Sequence, residues 1–150
     1  MTTTRGLEGV VAAESKISSI IDDKLTYVGY DIDDLTEHAS FEEVVYLLWH
    51  KRLPNKYELE DFRLELMKNA ALPEEVVDHI RSVPKDHVHP MAVLRTAVSF
   101  LSLLDDEADL MDEDNNYQKA LRIQAKIGTI VTAYARIRKG LEPVEPRTDL

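Results

Sequence analysis

The sequence predicts a mainly α-helical protein with a small β-hairpin near its N-terminus, and three observations carry that expectation. Beyond Asp31, apolar residues recur at three- and four-residue spacing, which places them on one face of a helix. A Ser or Asn followed three residues later by Glu marks a helix start, and it occurs at Ser40/Glu43 and again at Asn55/Glu58. Before Asp31 the pattern is different: Val10, Val11, Ile17, Ile20, Ile21, Thr26, Tyr27, Val28 and Tyr30 are β-branched or aromatic, as strands prefer. The expected organisation is therefore strands and a turn over residues 1–30, a helical region over 31–140 and an extended tail over 141–150.

Asp22-Asp23, between Ile21 and Leu25, reads as the hairpin turn, because Asp side chains bond their own backbone and tolerate tight turns. Asp31 is placed to cap a short helix carrying Ile32, Leu35 and Ala39. Ser40 opens a helix with Phe41, Val44, Val45, Leu47, Leu48 and Trp49 that must stop before Pro54. Asn55 opens the next, whose buried face is expected at Leu59, Phe62, Leu66 and Met67. Pro73 fits a first helical position, with Glu74 and Glu75 behind it favouring the positive end of the helix dipole. His89-Pro90 begins a helix whose apolar residues, Met91 to Leu104, point in nearly every direction, which predicts burial on all sides. A polar, acidic connection from Asp105 to Asn116 follows. A long helix is then expected from about Tyr117 to Lys139, stopped by Gly140 after the basic residues Arg136, Arg138 and Lys139. Pro143 and Pro146 keep the tail extended.

Composition narrows the function classes. The formal charge of the 150 residues is −10, and the 18 Lys and Arg are scattered rather than gathered into a stripe, so nucleic acid is not an expected partner. Cysteine is absent, which excludes disulfides, thiolate zinc sites and a cysteine nucleophile. The longest apolar run, Met91 to Leu104, is interrupted by Arg95 and falls short of the roughly 20 residues that cross a bilayer. Met1 to Arg5 is polar and runs straight into Gly6, leaving no apolar secretory stretch, so a cytoplasmic location is the expectation.

Motifs for chemistry are sparse. His87 and His89 form the one close histidine pair, but His89 precedes Pro90, which suggests a helix start, and no third ligand accompanies the pair, so the structural reading is preferred to metal binding. Asp31, Asp33 and Glu42 imitate part of a calcium loop, yet Leu35 and Thr36 stand where a ligand and a glycine are needed. The acidic run from Asp105 to Asp114 reads as a solvated connection. None of the five glycines sits in a nucleophile elbow or a phosphate-cradling loop. Arg95 is read as pairing with a neighbouring acid or carbonyl rather than as a carboxylate receptor.

Three segments resemble citrate synthases of the bacterial type: Gly6-Leu7-Glu8-Gly9-Val10 with Ile17-Ser18; Leu25 to Ile32 continuing into Phe41-Glu42-Glu43-Val44; and His89-Pro90-Met91 with Leu94-Arg95-Thr96. The closely related 2-methylcitrate synthases share these features. The resemblance implies the N-terminal, helical large-domain part of a citrate-synthase-like fold. For the intact enzyme it implies condensation of acetyl-CoA with oxaloacetate, with acetyl-CoA as substrate rather than cofactor. The two His and one Asp that carry the family's acid and base chemistry follow the region resembled here. No catalytic or substrate-binding residue is carried over, no metal is implied, and the chain by itself is expected to be inactive.

The helices from His89 and Tyr117 carry more apolar surface than a few neighbouring helices can cover, which implies a partner. The resemblance identifies that partner as a second subunit, with Met91, Leu94, Val98, Leu101, Ile127, Ile130, Val131 and Tyr134 as the expected homodimer contacts. The competing reading is a standalone helical homodimerisation module without catalysis.

Overall fold

The computed structural model describes Val11 and residues 14–147. The first resembling segment, Gly6 to Val10, lies outside them. Three short strands, β1 (Ser18–Ile21), β2 (Lys24–Tyr27) and β3 (Tyr30–Asp31), form an antiparallel meander. The helices α1 (Ile32–His38), α2 (Phe41–His50), α3 (Lys56–Asn69), α4 (Glu74–Ser82), α5 (Pro90–Leu101) and α6 (Glu113–Arg138) follow.

The expected hairpin is present, and it gains a third strand that the residue pattern did not reveal. Ile21 pairs with Lys24 across Asp22 (φ 50°) and Asp23 (φ 63°), the doubly left-handed loop that matches the twist of paired strands. Tyr27 pairs with Tyr30 across Val28 (φ 51°) and Gly29 (φ 88°) in the same way. Val28 hid this second turn, since a β-branched side chain rarely takes positive φ. Register is reinforced where Ser19 faces Thr26, whose hydroxyls share a 2.8 Å hydrogen bond.

The helix starts follow their signals closely. The Asp31 carboxylate accepts from Asp33 N–H at 2.9 Å. Ser40 and Glu43 form a complete capping box, with Glu43 Oε2 accepting from Ser40 N–H at 2.7 Å and Ser40 Oγ from Glu43 N–H at 3.3 Å. Asn55 and Glu58 repeat it: Asn55 Oδ1 accepts from the N–H groups of Tyr57 and Glu58, and Glu58 Oε2 accepts from Asn55 N–H. His89 Nδ1 accepts from Met91 N–H at 3.2 Å, so this histidine caps α5 with Pro90 in the first turn.

Three expectations are corrected. Pro73 is the capping residue of α4 rather than its first helical residue, with extended backbone (ψ 146°). The last helix begins at Glu113, four residues before Tyr117, because Asp112 accepts from Asn115 N–H and so caps a first turn that carries Glu113 and Asp114 at the positive helix end. Helix α5 is not buried on all sides of this chain. Only Val93 and Ala97, one turn apart, are buried, because α4 and α6 pack along that single stripe.

The chain divides into two compact units, Met1–Glu60 and Asp61–Leu150, with the boundary inside α3. In the first, Leu35, Val45, Tyr46 and Leu47 are buried. In the second, Val76 and Ile80 of α4, Val93 and Ala97 of α5, and Ile130, Tyr134 and Ile137 of α6 form a contiguous core. Each large aliphatic side chain there contributes about 1.5–3 kcal/mol by leaving water. Helix α6 ends in a glycine stop: Gly140 (φ 73°) donates its N–H to Ile137 O and Leu141 donates to Arg136 O, carbonyls that Lys139 N–H also reaches, so the last turn's acceptors are satisfied. Residues 141–147 then run without regular structure, tied back by Arg81 to the Glu142 carboxylate at 2.6 Å and by Arg136 Nε to Glu142 O at 2.6 Å.

Candidate functional site: the α5–α6 face

The eight residues expected at a subunit interface separate into three environments. Met91 and Val131 are 60% and 48% exposed, and with half-buried Leu94 they open onto a shallow apolar groove of about 170 Å³. Ile130 and Tyr134 form the floor of that groove but are only 1% and 5% exposed, because they face α4 and α5 in the core. Val98 and Leu101 line a different cavity one helical turn and more away, and Ile127 is half-buried between the two regions along α6. Adjacent residues Ile130 and Val131 thus have opposite roles, since one helical step of about 100° turns a side chain from the core to the outside.

The Tyr134 hydroxyl is buried with no hydrogen-bond partner, and the Arg138 guanidinium carbon sits 5.6 Å from its ring centroid. An unmade hydrogen bond of this kind costs on the order of 1–3 kcal/mol. It is tolerated where the ring's packing contributes more.

The second cavity, about 620 Å³, lies between α5, α6 and the connection that joins them. Helix α6 supplies Lys119, Arg122, Ile123 and Lys126 to one wall, at the spacing of a single helix face. Opposite stand Asp105, Asp106 and Glu107. Arg122 reaches Asp105 at 2.8 Å and Glu107 at 3.5 Å, while its Nε is buried and unpartnered. Desolvation pushes the Asp105 carboxyl up, but the Arg122 hydrogen bond and the Glu107 N–H outweigh it and leave it below the usual carboxylate range. Burial, and next the charge of Arg122, push the Lys126 ammonium below the usual lysine range, and its proton is shared with Asn69 O at 2.7 Å. The cations here are already answered by carboxylates and carbonyls, so the wall is close to electrically neutral.

The remaining residues singled out by sequence have structural settings. His87 sits in a left-handed turn (φ 65°) and His89 caps α5. Among the described residues no three His, Asp or Glu side chains converge as a metal site, and no helix is long and apolar enough to cross a membrane. Arg95 is exposed on α5 and makes no ion pair among the described residues, so the pairing expected for it is absent: its helix face is open, and an exposed guanidinium does not require the partner that burial would have demanded. Sequence reasoning missed Lys119 and Arg122, because their partners lie 8 to 17 residues upstream in a segment with no periodicity to place it.

Comparison with known proteins agrees with this architecture. The family described as "Citrate synthase, C-terminal domain" matches residues 6–150. The chain is 66% identical over 149 residues to Citrate synthase 2 of Bacillus subtilis, covering 99% of this chain and 40% of that protein. It is 37% identical over 144 residues to 2-methylcitrate synthase 2 of Corynebacterium glutamicum, covering 95% of this chain and 37% of the relative. Among solved structures it matches the citrate synthase of Pyrobaculum aerophilum with a TM-score of 0.85 at 34% identity, over 96% of this chain and 38% of the other. The chain therefore spans about two fifths of the length of the relatives it matches. With its helical fold, its small N-terminal sheet and a family match along nearly its whole length, this chain belongs to the citrate synthase family.

Proposed function

We propose that this chain is the N-terminal, large-domain portion of an enzyme that condenses acetyl-CoA with oxaloacetate to give citrate and CoA. The observation that carries this reading is the family match over residues 6–150 together with 66% identity to a citrate synthase of which the chain spans 40%. The N-terminal placement rests on the order of the three resembling segments, from Gly6 to Thr96. Such an enzyme works in the cytoplasm, at the entry to the tricarboxylic acid cycle. Propionyl-CoA is the competing acyl donor, since 2-methylcitrate synthases are also relatives.

Within that enzyme the chain supplies scaffold rather than chemistry. The general acid and base groups come from the remainder of the polypeptide, and these 150 residues alone are inactive. Helices α5 and α6 contribute to a homodimer interface. The support is the exposed apolar pair Met91 and Val131 beside the α5–α6 groove, where two helices present side chains that water covers poorly.

The test is release of free CoA from acetyl-CoA or propionyl-CoA plus oxaloacetate, measured on this chain and on the longer product of its gene. Activity in the longer product alone is the expected result, and the faster acyl donor assigns the substrate. Activity in the 150-residue chain would overturn the scaffold assignment. A gene that stops at Leu150 and yields a stable, inactive dimer would favour a standalone association module.

A further inference from the structure

The connection between α5 and α6 is fastened in an unusual way. After a short 3₁₀ turn, Ser102–Leu104, which Asp105 caps, the backbone bonds of residues 105–111 outside helices are internal among the described residues: Ala108 N–H donates to Asp105 O and Leu110 N–H to Glu107 O. Glu107 N–H also donates to the Asp105 carboxylate at 3.0 Å, and the remaining side-chain bonds given for this segment go to α6. Lys119 Nζ donates to the carbonyls of Ala108 (3.1 Å) and Leu110, Arg122 holds Asp105 and Glu107, and Asn116 Nδ2 donates to Met111 O at 3.0 Å. Two cations therefore supply most of the attachment.

The flanking helices do not depend on this segment. The last turn of α5 is closed by Ser102 N–H on the carbonyls of Ser99 and Phe100, upstream of it. Helix α6 is capped by Asp112, downstream of it. Residues 105–108 form part of the wall of the 620 Å³ cavity, whose lining also carries Val98, Leu101, Ile123 and Lys126.

We propose that residues 105–111 form an electrostatically latched strap, which Lys119 and Arg122 hold against α6 beside the α5–α6 cavity and which opens as a unit without unwinding either helix. Opening frees the Arg122 guanidinium from Asp105 and Glu107 and removes one wall of the cavity, so the latch sets the cavity's width. The bonds are charge-assisted but partly solvent-exposed, with the Arg122 and Glu107 side chains 27% and 52% exposed. Salt and charge removal therefore weaken them, whereas the apolar packing of α5 on α6 is indifferent to both.

Hydrogen exchange read by mass spectrometry tests this on the full-length protein that contains the chain. Lys119→Gln and Arg122→Gln are each expected to speed exchange across 105–111 roughly two- to fivefold, with α5 and α6 unchanged. Raising NaCl to about 1 M is expected to do the same to the unmodified protein and less to the variants, within a Debye length of about 3 Å. Asp106→Asn, at an exposed acid that neither cation holds, is expected to change nothing. The proposal is overturned by exchange already at unstructured rates in the unmodified protein, by variants that match it, or by loss of α6 protection in step with the strap.

Discussion

Glycine and charge decide the most local features of this chain. Gly140 holds φ 73° at the end of α6, and a Cβ built there meets nothing within 4 Å, so its value is conformational alone. Gly140→Ala is expected to destabilise the protein by about 1–2 kcal/mol, read as a lower urea midpoint at unchanged slope. Asp23→Gly, at an exposed left-handed turn position, is expected to shift the midpoint the other way by up to about 1 kcal/mol. Glu58 shows how a surface carboxylate reports pH. The Arg52 guanidinium, and next the Asn55 N–H, hold its carboxyl at about 2 against an ordinary value of 4.5. A depressed folded-state value means that the stabilisation is complete above about 4.5 and is lost as pH falls towards 2. Glu58→Gln is therefore expected to lower stability above about 4.5, to matter least near pH 2, and so to flatten the pH dependence between the two. A series of urea midpoints across pH 2 to 7 measures this.

Capping and packing act at the scale of elements, and they are unequally readable. Ser40 with Glu43, Asn55 with Glu58, and His89 with Pro90 are short-range signals whose partners lie within a helical turn, so each start was legible from its residues. The start of α6 was missed because an acidic run resembles a solvated loop until Asp112 is recognised as its cap. The second turn of the sheet was missed because Val28 carries none of the Gly, Asn or Asp chemistry that announces left-handed backbone at that position. Packing separates neighbours that the apolar pattern treats alike. Ile130→Ala is expected to cost about 2–4 kcal/mol, while Val131→Ala costs under about 0.5 in the isolated chain. Thermal or urea unfolding of the two variants side by side checks the contrast.

At the scale of the whole molecule, the proposed subunit interface gives the decisive prediction. Met91→Asp combined with Val131→Asp places two carboxylates beside the α5–α6 groove without touching the core. It is expected to weaken dimerisation of the full-length protein by at least about tenfold, seen by sedimentation velocity. An unchanged dimer would move the interface elsewhere. Ile130 and Tyr134 are unsuitable for this test, because their substitution disturbs the fold before it reaches any partner. The sequence by itself determined the helical class, the N-terminal hairpin, most helix starts and the family, since caps, turns, periodicity and ordered motifs act over a few residues at a time. Only the tertiary structure decided which apolar residues of α5 and α6 are spent on this chain's own core, and where the acidic connection is fastened. Those outcomes depend on how α4, α5 and α6 dock. Docking is a contest among contacts distant in sequence, and local periodicity does not carry their result.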